Sequence, residues 1–183
     1  MLFGLVGEMG SGKDEVVLRL RSRGHKVTRL GFAVPLKDMV QRAWKIPPKD
    51  MTTKPKYVRD LLQIVGTDLF RNQVSETYWI DKFIDVYFTE LNEASTSRDH
   101  HVIVTDVRFP NEIKIIEDMS GYIVKVERPS GNARKKRATK TQTNHSSETQ
   151  WKGHTPDFVI INDGTKRKLG DRAVEILKET IHG

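Results

Sequence analysis

Residues 7–14 read Gly-Glu-Met-Gly-Ser-Gly-Lys-Asp, and no other stretch limits the possible folds so sharply. The spacing G-x-x-x-x-G-K is that of a loop whose backbone amides cradle phosphate, a loop that must leave a buried strand and open a helix. Both flanks comply. Leu2–Val6 ahead of it is apolar enough to be buried on both faces, as in a parallel sheet. Behind it, "KDEVVLRLRSRG" carries acids in its first turn, Val16, Val17 and Leu20 at helical spacing, and Gly24 as a C-cap. Within the loop (Gly7, Gly10, Ser11, Gly12), a Cβ at Gly10 or Gly12 obstructs the anion, and Lys13 reaches the β and γ phosphates. One position departs from the commonest motif: Asp14 stands where Ser or Thr usually offers magnesium a hydroxyl.

The rest of the chain alternates in the same way. "HKVTRLGFA" reads as a second strand and "PLKDMVQRAW" as a helix opened by Pro35. Ile46–Lys56, with Pro47, Pro48 and Pro55, reads as a loop. Arg59–Gln73 and Tyr78–Glu93 carry helical periodicity, and "HVIVTD" is a third strand. "NEIKIIEDMSG" is a helix closing on Gly121, "YIVKVER" a fourth strand, "DFVIIND" a fifth, and "KRKLGDRAVEILKETIHG" a terminal helix. Strands alternating with helices predict one α/β domain over 1–183, with a mainly parallel sheet of about five strands. A helical insertion is expected at 35–95 and a charged loop at 128–153.

Charge narrows the partners. Of 183 residues, 31 are basic and 24 acidic, a net charge of +7, and cysteine is absent. From Arg128 to Ser147 lie six basic residues and no acid, so this segment holds nearly the whole excess and the remainder is close to neutral. That distribution argues against a diffuse nucleic-acid face, and no stable nucleic-acid complex is expected. Without cysteine there is neither a disulfide framework nor a thiolate metal site. No apolar run reaches the roughly 20 residues that span a bilayer, so no membrane partner and a cytoplasmic location are expected.

A second chemical element is "VIVTDVRFPNE". Asp106 closes the third strand, where an acid in a phosphate-loop protein binds magnesium, and ligands in such sheets lie beyond the carboxyl ends of the strands. Arg108, two residues on, has the planar fork that suits a phosphate. The alternative is an Asp capping the next helix, with Arg108 paired to Glu112.

Taken in order, "GEMGSGKDE", "GFAVPLKD", "LLQIVGTDLFR", "YWI", "VIVTDVRFPNE", "HSSE" and "DFVIINDGT" resemble the deoxynucleoside monophosphate kinases of tailed bacteriophages, a branch of the phosphate-loop nucleotide kinases. Asp directly after the loop lysine is common in that family, so Asp14 marks a subtype. Glu15 departs from the Thr often found there.

The resemblance implies a P-loop NTPase-type three-layer α/β fold with a monophosphate-binding insertion and a closing lid. It implies transfer of the ATP γ-phosphate to a deoxynucleoside monophosphate, with Mg2+ placed by Asp14 and Asp106. ATP then rests on the loop and on "NDGT", with Asn162 and Gly164 near adenine. The acceptor falls to Lys37, Arg71 and Arg108, with Phe32 and Trp79 to stack on the base, Gln63 to read its edge and Asp106 close by. In the lid, Arg128 serves as hinge and Arg134 or Arg137 touches the transferring phosphoryl, while His145 and Glu148 are support. A homodimer is left open, and phage origin implies the host cytoplasm. Rival readings are another small-molecule kinase such as phosphomevalonate kinase, whose loop can also read S-G-K-D, and a nucleic-acid-binding NTPase. A nucleotide switch is disfavoured because no "NKxD" is present.

Overall fold

The computed structural model describes residues 1–93, 100–129 and 150–182. The chain divides into two units, one of Met1–Leu30 with Thr96–Gly183 and the other of Gly31–Ser95.

The first unit is built on a parallel sheet. Among the described residues it has five strands: β1 (Leu2–Val6), β2 (Lys26–Leu30), β3 (His100–Val104), β4 (Tyr122–Glu127) and β5 (Phe158–Ile161). They lie in the order β2-β3-β1-β4-β5, each pair parallel. Burial follows this order. Central β1 is buried at all five positions, whereas edge strands β2 and β5 mix buried, half-buried and exposed residues, which is why β1 had to be continuously apolar. Phe3 and Leu5 point to one face, where Val16, Val17 and Leu20 of α1 (Lys13–Ser22) and Leu169, Ala173, Ile176 and Leu177 of the C-terminal helix complete the core. Gly4 faces the other side: a Cβ there meets Val107 and Ile116, the latter on the helix Pro110–Asp118. Helices thus cover both faces, the expected three layers. No helix among the described residues is long and apolar enough to cross a membrane.

The second unit is helical. It contains α2 (Val34–Ala43), α3 (Pro48–Thr53), α4 (Lys56–Gln63), a π-helix (Ile64–Val74) and α5 (Tyr78–Glu93). The first unit then supplies α6 (Pro110–Asp118) and α7 (Lys166–His182), with a 3-10 turn at Gln150–Gly153.

Three boundaries differ from expectation. The second strand ends at Leu30, and Gly31–Ala33 turn directly into α2, with the Val34 N–H donating to the Gly31 carbonyl. The stretch 46–56 is not plain loop: Pro48 opens α3 at its first position, where a missing N–H costs nothing, and Lys54 ends it in a left-handed conformation at φ 50°. The helix expected over 59–73 changes pitch at Ile64 and continues with bonds of the i→i+5 type, ending with the Ser75 N–H on the Phe70 carbonyl.

Two contacts fix that wider helix. The Trp79 indole N–H donates to the Gly66 carbonyl at 2.7 Å, and Leu36 Cδ2 sits 2.4 Å from where a Gly66 Cβ would lie. Leu36, Val40, Ile46, Val58, Val65 and Trp79 form this unit's own core.

Candidate active site

The phosphate loop begins where β1 stops. Gly7 has φ 143°, and a Cβ there would lie 2.3 Å from the Val126 carbonyl of β4, so only glycine lets the loop turn this close to the neighbouring strand. The Ser11 N–H closes on the Glu8 carbonyl, and Gly12, at φ 113°, caps α1 without a side chain. The first amides of α1 and its dipole then face outward, which is the arrangement anions bind. Lys13 Nζ donates to the carbonyls of Gly7 (2.6 Å) and Glu8 (3.0 Å), which folds the ammonium over the loop. Ser11 is buried, and its hydroxyl has no hydrogen-bond partner among the described residues. An orphaned hydroxyl, glycines at the tight turns and a lysine curled over them fit a polyphosphate.

At the next position, Asp14 Oδ1 accepts from Arg29 Nη2 at 2.7 Å, and the Arg29 Nε donates to Thr105 Oγ1 at 3.0 Å. Arg29 is the penultimate residue of β2 and Thr105 follows β3, so one guanidinium ties the loop acid to the residue before Asp106. Asp14 keeps two-thirds of its side chain exposed, 67%. Half-buried Asp106 lies two residues past β3, slightly beyond the strand end expected for it. Both acids sit at the carboxyl edge of the sheet, where ligands of α/β sheets bind. Glu15 is committed elsewhere, to Arg19 at 2.9 Å and Lys166 at 3.2 Å, and braces α1 against α7.

Arg108 is exposed. Its backbone N–H and that of Phe109 donate to Glu112 Oε2 at 2.8 and 3.3 Å. The buried Glu112 carboxylate therefore holds the backbone of the turn that carries Arg108. Beyond β5, Asn162 is 5% exposed; its Nδ2 donates to the Ser11 carbonyl at 2.8 Å and its N–H to the Glu127 carbonyl at 2.6 Å. Both of these donors, which the expected placement of Asn162 at adenine would have offered to a base, are instead engaged within the protein, one of them on the phosphate loop. Gly164 is exposed in the turn into α7. Asp163 is held by Arg172 (2.9 Å) and Lys168 (3.3 Å), and these hydrogen bonds, Arg172 first, draw its carboxyl down to about 2.

Two stacking assignments are overturned. Phe32 is 3% exposed with its ring centroid 4.3 Å from that of Phe83, and Trp79 is 4% exposed within the core of the helical unit. Neither presents a ring face on which a base could lie. In the same unit Lys37 and Arg71 are half-buried and Gln63 is exposed. Arg128, just past β4, is exposed. Arg134, Arg137, His145 and Glu148 lie outside the described residues, as does most of the segment expected as a lid.

Sequence reasoning missed Arg29 and the roles of Asn162 and Glu112. The signal for Arg29 was present: a cation at the last exposed position of a strand whose carboxyl end opens on the loop.

Comparison with known proteins identifies the family and the fold. The family model described as Deoxynucleotide monophosphate kinase matches residues 48–172, a span that starts beyond the phosphate loop. The deoxynucleotide monophosphate kinase of Enterobacteria phage T4 is 30% identical over 66% of this chain, and that of Escherichia phage RB69 is 29% identical over the same share. The chain spans only 45% of the length of each of these phage kinases. A protein of Acanthamoeba polyphaga mimivirus, named only provisionally as such a kinase, is 28% identical over 90% of both chains. Among solved structures, the Thermus thermophilus protein TT1252 has a TM-score of 0.58 at 18% identity, covering 100% of this chain and 98% of its own. The dephospho-CoA kinase of Campylobacter jejuni has a TM-score of 0.51 at 12% identity over 98% and 96%. These two likenesses concern the fold.

Proposed function

Since the chain belongs to the deoxynucleotide monophosphate kinase family, we propose that it moves the γ-phosphoryl group of ATP to a deoxynucleoside 5′-monophosphate, giving ADP and the diphosphate for DNA precursor synthesis. The observation that carries this reading is the loop at 7–13. Its amides, glycine turns and Lys13 form an anion cradle at the carboxyl end of the central strand, outside the span the family model matches.

Such a transfer asks little covalent chemistry of the protein; it needs in-line positioning and cations around the moving group. Lys13 leaves the Gly7 and Glu8 carbonyls for the β and γ phosphates, exchanging two neutral acceptors for charged ones. Arg108, mounted on the turn that Glu112 fixes, is assigned to the acceptor phosphate, and Lys37, Gln63 and Arg71 to the acceptor from the helical unit. The hard carboxylate oxygens of Asp14 and Asp106 suit Mg2+, an ion that keeps several waters and does not require a closed protein cage. Held by Asp14 and Asp106, the ion would supply charge neutralisation for the phosphates. The segment around 128–153 is assigned to closure over the nucleotides, with Arg128, Arg134 and Arg137 as its cations.

A panel of deoxynucleoside and nucleoside monophosphates with ATP and Mg2+, read by coupled ADP release, tests the proposal. Turnover with at least one deoxynucleotide, lost in Lys13→Ala at saturating ATP, supports it. A protein that turns over phosphomevalonate or no monophosphate at all overturns it.

A further inference from the structure

The side chain of Asn162 is mounted with unusual firmness for a residue in a turn. Its backbone N–H is bonded to the Glu127 carbonyl at the end of β4. The carboxylate of the next residue, Asp163, is fixed by Arg172 and Lys168 of α7. From that mount the amide reaches across 151 residues of sequence to donate to the Ser11 carbonyl at 2.8 Å, in a buried setting. The approach is close enough that a Cβ on Gly12 would lie 2.5 Å from Asn162 Nδ2. Gly12 is therefore required twice over, by its φ of 113° and by the side chain beside it.

The consequence follows from peptide geometry. In a planar trans peptide the C=O and N–H point in opposite directions. The Ser11 carbonyl and the Gly12 N–H belong to one such unit, and Asn162 holds its carbonyl end. Rotation of this unit, which glycine would otherwise permit, is blocked. On the reading that the loop binds ATP, we propose that Asn162 is a positioning residue for the phosphate loop: by anchoring the Ser11 carbonyl it fixes the Gly12 N–H toward the nucleotide's phosphates. Asn162 touches no part of the nucleotide itself. Its contribution is preorganisation, which stabilises binding by removing the need to order a glycine-rich loop when the anion arrives.

The test separates phosphate from base. Binding of ADP and of adenosine, both in EDTA so that no metal takes part, is measured by calorimetry for the wild type, Asn162→Ala and Asn162→Leu. Asn162→Leu keeps the volume without adding charge but has no proton to give the Ser11 carbonyl, so a mere packing role would spare it. Both variants are expected to bind ADP about tenfold more weakly, with adenosine affinity unchanged. In amide NMR spectra the downfield shift of the Gly12 N–H on adding ADP is expected to shrink in both. Circular dichroism verifies folding, and Asn162→Ser, too short to reach Ser11, replaces any variant that does not fold. ADP affinity within twofold of wild type with a preserved Gly12 shift overturns the inference, as does an equal loss for adenosine, which would place Asn162 at the base. A wild type that binds no ADP overturns the kinase reading itself, whereas a binding wild type with indifferent variants overturns the positioning role alone.

Discussion

Arg29 Nη2 lies 2.7 Å from Asp14 Oδ1 while its Nε holds Thr105 Oγ1 at 3.0 Å. The cation engages one carboxylate oxygen and orients the other. Partners that orient a metal-binding carboxylate are worth about 10–100-fold in metal affinity. Arg29→Gln is accordingly expected to raise the Mg2+ concentration for half-maximal turnover by about tenfold, and Asp14→Asn by at least as much. A magnesium titration at saturating ATP measures both. A lower requirement in Arg29→Gln would mean that the arginine competes with the ion.

For Arg108, truncation removes a charged donor and leaves in place the two backbone N–H groups, of Arg108 and Phe109, that hold the turn on Glu112. A hydrogen bond to a charged group is worth about 1.5–3 kcal/mol, so Arg108→Ala is expected to lower kcat/KM for the monophosphate by about ten- to a hundredfold. The KM for ATP should stay within twofold of wild type. Initial-rate kinetics with each substrate varied in turn measure this, and equal losses toward both would make Arg108 part of the scaffold.

The helical unit offers a stability test free of catalysis. Trp79→Phe keeps an aromatic in the core but removes the buried hydrogen bond from the indole N–H to the Gly66 carbonyl. Losing one such hydrogen bond costs about 0.5–1.5 kcal/mol, visible as a fall in Tm. Because the ring is core and not a stacking platform, the KM for the monophosphate in the folded variant should be unchanged at temperatures well below its Tm.

Asp163 gives a pH signature with a definite sign. Its carboxyl is drawn from 3.8 to about 2, first by the hydrogen bond from Arg172 and then by that from Lys168. A depressed acid stabilises the folded state fully above the unfolded value and loses that contribution as pH falls through the folded one. Its share should therefore fade between about pH 4 and pH 2 and be absent in Asp163→Asn. Carboxyl-detected NMR titration measures it; a midpoint near 3.8 would show the pair with Arg172 to be idle in solution.

Legibility from sequence differed by the range of the interaction. β1, the phosphate loop and α1 could be read because each rests on local rules: a continuous apolar run, glycines at fixed offsets, apolar residues at helical spacing. Pro48 misled, since proline can open a helix as well as break one, and only the placement of Pro47 and Lys54 around it distinguishes the two. The π-helix left no trace because its cause is tertiary, the Trp79 indole on Gly66 and Leu36 against that glycine. Phe32 and Trp79 were misassigned for a related reason: an aromatic at helical spacing reads alike whether it faces a core or a ligand. Arg29 and Asn162 are contacts between residues 15 and 151 positions apart, and spacing rules do not extend that far.

The position of β1 also governs how the chain must assemble. Both of its partners arrive late: β3 pairs with it from residue 102 onward and β4 from residue 122, after the whole helical unit has been made. A strand that is apolar along its entire length must then wait on the ribosome, at about 5–20 residues per second, for several seconds before either neighbour emerges. Closing loops of this length is slow as well as entropically costly. The stretch carrying the phosphate loop is thus made well before the two strands that flank it in the sheet, and during that interval Leu2–Val6 is an apolar strand without its partners, the kind of segment a chaperone covers.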